Sequence, residues 1–337
     1  MTTPPSIGTR KDEHLDICLK QDVNSLNHSY WNEIALNHRA LPEINLSDIE
    51  LDTQFLGLKL KAPILISSMT GGTPEGEKIN SILAKFAQNN SIAMGVGSQR
   101  IALEKPLENF FNLRAQAPNG IFFANLGAVQ FNYGVSIDQA LNLADKLQAQ
   151  AFILHLNPLQ EAIQSGGDTN FKGLLSKIEN FKRQLSIPLI VKEVGCGIDT
   201  NSAKDLKNAG VDAIDVAGKG GTHWGYIEGL REESQRPLGD IYRDWGIPTP
   251  TAIRENRKAL GPTFPIIGSG GIRNGLDAAK AIYIGADIVG MALPFLKEAH
   301  KGPEALQNFY DEFCKALKIA LLCSGKKTCR ELKNEQK

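Results

Sequence analysis

The stretch Leu189-Ile190-Val191-Lys192-Glu193-Val194-Gly195 decides the fold. Aliphatic residues dominate it, Pro188 leads into it, and Gly195 and Gly197 close it. An apolar run bounded by turn residues predicts a strand buried on both faces and ending in a tight turn. Lys192 falls where that strand stops. A charge there is costly to bury unless an anionic partner meets it.

The same device recurs along the chain. Eight short apolar strands are expected: 64–67, 92–94, 121–125, 152–156, 189–193, 213–216, 266–269 and 288–291. Between them lie stretches with apolar residues at helical spacing, such as Ile79, Ile82, Leu83 and Phe86, or Leu306, Phe309, Phe313, Leu317 and Leu321. Strands alternating with helices mean parallel βαβ units. Apolar runs without alternation fit strands covered on both sides. Eight such units predict a closed (β/α)₈ TIM barrel. A doubly wound open sheet is the weaker alternative, because Ser67-Ser68-Met69-Thr70-Gly71-Gly72 lacks the GxGxxG of a first βα turn. No linker-like or low-complexity segment divides the chain. The division expected is an N-terminal extension over 1–60 that contributes to the active site, and a barrel over 61–337. Within the extension, 10–14 (RKDEH) reads as a solvated charge run, 23–40 as helical, and 52–60 as a hairpin. Residues 229–247 read as a charged loop, either a lid or a surface insertion.

The totals set bounds. The chain has 337 residues, 42% of them hydrophobic, and a formal net charge of +0. Balanced charge gives no support to nucleic-acid binding. The first residues contain no apolar signal region, and no run approaches a membrane-spanning length. The five cysteines are scattered and lack zinc spacing, so reduced thiols in a cytoplasm are the plain expectation.

In a barrel, function gathers at the C-terminal strand ends. Gly220-Gly221-Thr222 and Gly270-Gly271 follow the sixth and seventh strands. Paired glycines let backbone N–H groups approach a ligand, and ahead of helix N-termini they suit a phosphate. Each glycine alone could simply make a tight turn; the pairs together favour phosphate. Ser68, Met69, Thr70, Ser98 and Asn125 supply hydrogen-bonding groups for a flat heterocycle, or serve as turn and cap residues. Lys192 could hold negative charge developing on such a ring, or form a structural ion pair, with Glu193 the nearest carboxylate. Arg10, Lys11, Arg100 and His155 form a more basic set suited to a diphosphate. Glu161, after Gln160, could hold Mg²⁺ beside that diphosphate.

These residues, in this order, resemble type 2 isopentenyl diphosphate isomerase, the flavin-dependent kind. The matching motifs are RKDEH at 10–14, SMTGG at 68–72, GSQR at 97–100, ANLG at 124–127, HLNPLQE at 155–161, KEVG at 192–195, GKGGT at 218–222 and GSGGIR at 268–273. They span almost the whole chain. The resemblance implies an FMN-binding barrel that interconverts isopentenyl and dimethylallyl diphosphate in isoprenoid biosynthesis. FMN contacts would fall on Ser68, Met69, Thr70, Ser98, Asn125, Lys192, Thr222, Gly270, Gly271, Ile272, Arg273, Ala292 and Leu293. The diphosphate would meet Arg10, Lys11, Ser98, Gln99, Arg100, His155 and Gln160, with Mg²⁺ on Glu161. Gln160, Lys192 and His155 would be the catalytic set. The resemblance also implies reduced flavin as the active form, NADPH as reductant, and a homotetramer or homo-octamer. Two positions depart from the pattern: Cys196, where an aromatic is common, and His223, where serine is common.

Two other classes stay open on residues alone. A flavin-dependent 2-hydroxy-acid oxidoreductase could recruit His223 as base, with Arg231 nearby in sequence. A non-catalytic phosphate sensor would use the glycine turns but leave RKDEH and HLNPLQE unexplained.

Overall fold

The apolar runs pair as strands covered on both faces should. In the computed structural model, which describes residues 7–27, 30–69, 71–104 and 113–334, eight parallel strands form a closed barrel. A two-stranded hairpin precedes them, β1 (Thr53–Phe55) and β2 (Leu58–Leu60). The barrel strands are β3 (Ile64–Ile66), β4 (Ala93–Gly95), β5 (Ile121–Gly127), β6 (Ala151–Leu156), β7 (Leu189–Glu193), β8 (Ala213–Asp215), β9 (Ile266–Ser269) and β10 (Ile288–Met291). They pair in chain order, and β10 closes on β3 with Val289 opposite Ile64. The expected strands and the hairpin are all present.

Side chains on a strand alternate faces, so every second residue points into the barrel. At the N-terminal end the inward set is apolar: Leu65, Phe123, Ile153, Ile190, Ile267 and Ile288 cluster there. Phe55 and Leu60 of the hairpin join this cluster and close the bottom. Two residues further along, the same face carries Ser67, Asn125, His155, Lys192, Asp215 and Ser269 on six of the eight strands, and glycine on β4 and β10. The interior therefore changes from apolar to polar along the barrel axis. That gradient places the chemistry at the C-terminal mouth.

Three expectations need correction. Among the described residues of 23–40 there is no α-helix: Asn24 bridges to Thr222, and a short 3₁₀ turn spans Tyr30–Glu33. Tyr30, Trp31 and Ile34 are buried at helix-like spacing, but on a single 3₁₀ turn and the coil that follows it. The RKDEH run is not plain solvated surface but part of a helix, Ile7–Lys20. Lys11, His14, Leu15 and Cys18 fall at i, i+3, i+4 and i+7, one face of that helix. The 229–247 region is largely helical, with Trp224–Arg231 and Arg236–Tyr242 packed as a hairpin. Gly229 and Gly239 make that packing close, since an added Cβ at either would lie 2.8 Å from the other's Cα.

Candidate active site

A cavity open to solvent occupies the C-terminal mouth. Its wall is drawn from the strand ends: Ser68 and Met69 after β3, Lys192 on β7, Thr222 after β8, Gly270 to Arg273 after β9, Ala292 and Leu293 after β10. These are most of the residues expected to meet FMN. Thr70 lies outside the described residues. Ser98 and Asn125 are not on the wall but stand behind it. The Ser98 carbonyl accepts from Lys11 Nζ at 3.1 Å, and Asn125 Nδ2 donates to the Val96 carbonyl at 3.1 Å.

Two glycine turns meet on one side of this cavity. Gly270 has φ 109° and Gly271 φ 75°, values that L side chains rarely adopt. A methyl group at 270 would overlap the Gly218 carbonyl, and one at 271 the Gly220 carbonyl. Glycine is therefore required for the two backbones to approach. Arg273 closes this side, its guanidinium donating to Asn24 Oδ1. The extended segment at Val23 to Ser25 straps the turn from outside, with Ser25 N donating to the Gly221 carbonyl at 3.0 Å.

Lys192 stands on β7, next to the strand that leads into the first of these turns. Its partner is Asp215, Nζ to Oδ2 at 3.1 Å, and not Glu193 as adjacency suggests. Glu193 instead accepts from the backbone N–H groups of Val194 at 2.6 Å, Gly195 at 2.7 Å and Cys196. Burial pushes the Glu193 carboxyl up to about 7 despite those donors. It braces the strand-end turn. Alternation along β7 explains the split: Lys192 points into the barrel and Glu193 away from its interior.

The N-terminal helix lies across the mouth, presenting Lys11, His14, Leu15 and Cys18 to the cavity. Arg100 pairs with Asp168, which also accepts from Gln130 Nε2 at 2.9 Å. His155 is kept neutral, its pKa lowered to about 4 by burial, then by the charges of Lys192 and Lys11. Its Nδ1 lies 2.9 Å from Asn125 Oδ1. Because the Asn125 amide nitrogen already serves Val96, Nδ1 is the protonated nitrogen of His155. Gln99 is fully buried and spends its carbonyl on Asn125 N at 3.0 Å, while its amide nitrogen has no partner among the described residues.

Glu161 is buried, and that burial raises its carboxyl pKa. The Asp168 N–H at 2.7 Å, the Asn157 amide at 2.9 Å and the charge of Arg10 pull the other way. Gln160 is not on the cavity wall. Its amide donates to Glu228 Oε1 at 2.9 Å and its carbonyl accepts from Asn157 at 3.1 Å. Glu228 also meets His14 Nε2 at 3.0 Å and Arg231 Nε at 2.8 Å. Burial alone would raise the Glu228 carboxyl, but His14, Gln160 and Arg231 together bring it down to about 2. Glu228 is thus an ionised, fully buried hub joining the N-terminal helix to the HLNPLQE segment. Sequence reading missed it, as a lone glutamate carries no local signal. It also missed the cavity-lining pair His14 and Trp224, whose rings meet edge-on at 5.2 Å. The helical stripe through Lys11 could have found His14.

The two departures do not face the cavity. His223 caps the helix Trp224–Arg231 by accepting from Tyr226 N at 3.1 Å, and it is 0% exposed. Cys196 Sγ lies 3.9 Å from its Nε2. They pack on each other behind the wall.

A closed barrel whose mouth carries a glycine cradle and, on a neighbouring strand, a buried lysine is the architecture of a flavin-binding (β/α)₈ enzyme. A profile of the FMN-dependent dehydrogenase family matches residues 128–336. Solved structures with the same fold include a mandelate oxidase (TM-score 0.68, 15% identity, 94% of this chain and 93% of that one) and a lactate oxidase of Pediococcus acidilactici (0.69, 18%, 99% and 94%). More specific are the isopentenyl-diphosphate delta-isomerases of Nostoc sp. and Synechococcus sp. The first is 49% identical over 99% of this chain and 97% of its own, the second 50% over 95% and 92%. That of Pseudescherichia vulneris is 45% identical over 96% and 94%. The chain belongs to the isopentenyl-diphosphate delta-isomerase family, in its FMN-dependent type 2 form.

Proposed function

We propose that this enzyme interconverts isopentenyl and dimethylallyl diphosphate by a 1,3-allylic proton shift, with reduced FMN and Mg²⁺, in isoprenoid biosynthesis. The observation that carries the reading is one cavity walled by the glycine turns, Lys192 and the N-terminal helix.

FMN fits what is there. Ser67 Oγ, Ser68 Oγ and Gln99 Nε2 are buried polar atoms with no hydrogen-bond partner among the described residues, as expected where a ligand completes a site. Gly270, Gly271, Thr222 and Arg273 would hold its phosphate. Ser68, Met69, Thr70, Ser98, Asn125, Ile272, Ala292 and Leu293 would surround its ring, and Lys192 would face the N1 side. Reduced FMN, kept reduced by NADPH, would supply the acid–base group that an unactivated alkene needs.

The chain's own residues bind, orient and shield. Arg10, Lys11 and Arg100 would take the diphosphate charge, with Ser98, Gln99 and Gln160 as neutral donors. His155, neutral in the free protein, would gain a proton beside a diphosphate, whose charge opposes the fields of Lys192 and Lys11. The proton shift passes through tertiary-carbocation character, which water would quench. The N-terminal helix and Trp224 line the mouth where water must be excluded, and an indole face tolerates positive charge. Gln160 would act there through Glu228 and His14, which it reaches by its hydrogen bond to Glu228. Glu161 fits a Mg²⁺ shared with substrate phosphate, because Mg²⁺ takes one or two carboxylates plus substrate oxygens. No group of three or more metal-ligating side chains occurs among the described residues, so the diphosphate itself would complete the coordination.

The division into a 1–60 extension and a 61–337 barrel, cytoplasmic location and a homotetramer or homo-octamer belong to the same proposal. Among the described residues no helix is long and apolar enough to cross a membrane. A solution mass of one chain would remove the oligomer. His223, capped and off the wall, gives the 2-hydroxy-acid reading no base.

The test is redox-state dependence. Isopentenyl diphosphate with Mg²⁺ and dithionite-reduced holoenzyme should give dimethylallyl diphosphate, and oxidised holoenzyme should give none. Equal rates in both states would overturn the reduced-flavin assignment. Glu161→Gln should raise the Mg²⁺ concentration for half-maximal activity at least tenfold. An unchanged Mg²⁺ titration would remove Glu161 as metal ligand.

A further inference from the structure

One buried charge at the mouth has no role in the account so far. Strand register sets His155, Lys192 and Asp215 side by side on β6, β7 and β8. Asp215 is 0% exposed and is not on the cavity wall. Its Oδ1 accepts from the Ser269 hydroxyl, and its Oδ2 faces Lys192 Nζ at 3.1 Å. Beneath it lies the apolar layer of Ile190, Ala213 and Ile267. A carboxylate taken fully out of water costs several kcal/mol unless compensated. Glu193, the other nearby carboxylate, is committed to the strand-end turn. Among the described residues Asp215 is the partner in the one ion pair of Lys192.

We infer that Asp215 is the positioning residue of Lys192. Ser269 orients the carboxylate, and the carboxylate holds the ammonium on the wall that the flavin ring would meet. The inference rests on the reading of this cavity as an FMN site. Asp215 stands behind Lys192, so it acts on the cofactor through the lysine. Without it the ammonium turns toward the open, solvated side of the cavity. It then stabilises less of the negative charge of the reduced ring.

The test is the two-electron midpoint potential of FMN in the holoenzyme, measured anaerobically by dye equilibration in four proteins. Lys192→Met should lower the potential. Asp215→Asn should lower it too, by the equivalent of at least a tenfold loss in preference for reduced over oxidised FMN, about 30 mV. Asp215→Asn added to Lys192→Met should change it by less than a third of that. Ser269→Ala should shift it in the same direction by a smaller amount, and it decides the matter if Asp215→Asn does not fold. No shift, a rise, or an equal shift in both backgrounds would overturn the inference, the last two showing a direct effect of the Asp215 charge. A wild-type protein that fails to retain FMN would overturn the underlying reading instead, and this inference with it.

Discussion

Two titratable residues at the mouth leave separable marks on stability. His155 has its pKa lowered from 6.5 to about 4, so between those values the unfolded chain binds a proton that the folded chain refuses. The His155 contribution to stability therefore falls as pH drops from 6.5 toward 4, by on the order of 3 kcal/mol, against the opposite trend of Glu193. Glu228 has its pKa lowered from 4.5 to about 2. Its contribution is present above pH 4.5 and is lost as pH falls toward 2. Urea unfolding at pH 7, 5.5, 4 and 3 should show both windows. His155→Gln should flatten the upper one and Glu228→Gln the lower. An unchanged slope between pH 6.5 and 4 in His155→Gln would show that this residue is not held neutral. Legibility divides at the same scale. Lys192 announced itself as a charge ending an apolar run, and that signal placed it on the wall. Its partner did not, because Asp215 lies one strand–helix unit further along the chain and only lateral register brings them together.

In the proposed function the N-terminal helix is the element that would convert a flavin-type barrel into a diphosphate site. Its sequence looked like solvent because charges outnumber apolar residues, yet Lys11, His14, Leu15 and Cys18 make a narrow stripe. Lys11→Gln should raise the KM for isopentenyl diphosphate by tenfold to a hundredfold, since a charge-assisted hydrogen bond contributes roughly 1.5–3 kcal/mol. FMN affinity should stay within threefold. An unchanged KM would detach this helix from the substrate. The barrel strands were legible because each is a run of apolar residues with a turn signal at its end. The 23–40 region was misread because its buried residues, Tyr30, Trp31 and Ile34, mimic a helical period on a single 3₁₀ turn and the coil that follows it. The Trp224–Tyr242 hairpin was missed because its many charged residues, and the glycines on which its buried contacts rest, read as loop.

Across the whole molecule, stability and chemistry sit at opposite ends of one barrel. The inward face is apolar at the bottom, where Phe55 and Leu60 of the hairpin plug it, and polar at the mouth. Phe55→Ala should cost about 3–5 kcal/mol in unfolding free energy. It should leave the FMN dissociation constant and the KM unchanged at temperatures where the protein stays folded. A parallel loss of FMN affinity would show that the two ends are coupled. The family was readable from motifs spread over the chain, whereas the Glu228 hub needed the fold, because its partners lie at 14, 160 and 231.

The central claim is a redox cofactor used for a reaction with no net redox change. The most direct test is an anaerobic assay with FMN, Mg²⁺, isopentenyl diphosphate and only enough NADPH or dithionite to reduce the flavin once. The account predicts many turnovers to dimethylallyl diphosphate per reduced flavin, with no electron acceptor consumed. Product limited to one equivalent per flavin, or none with the flavin bound and reduced, would contradict it.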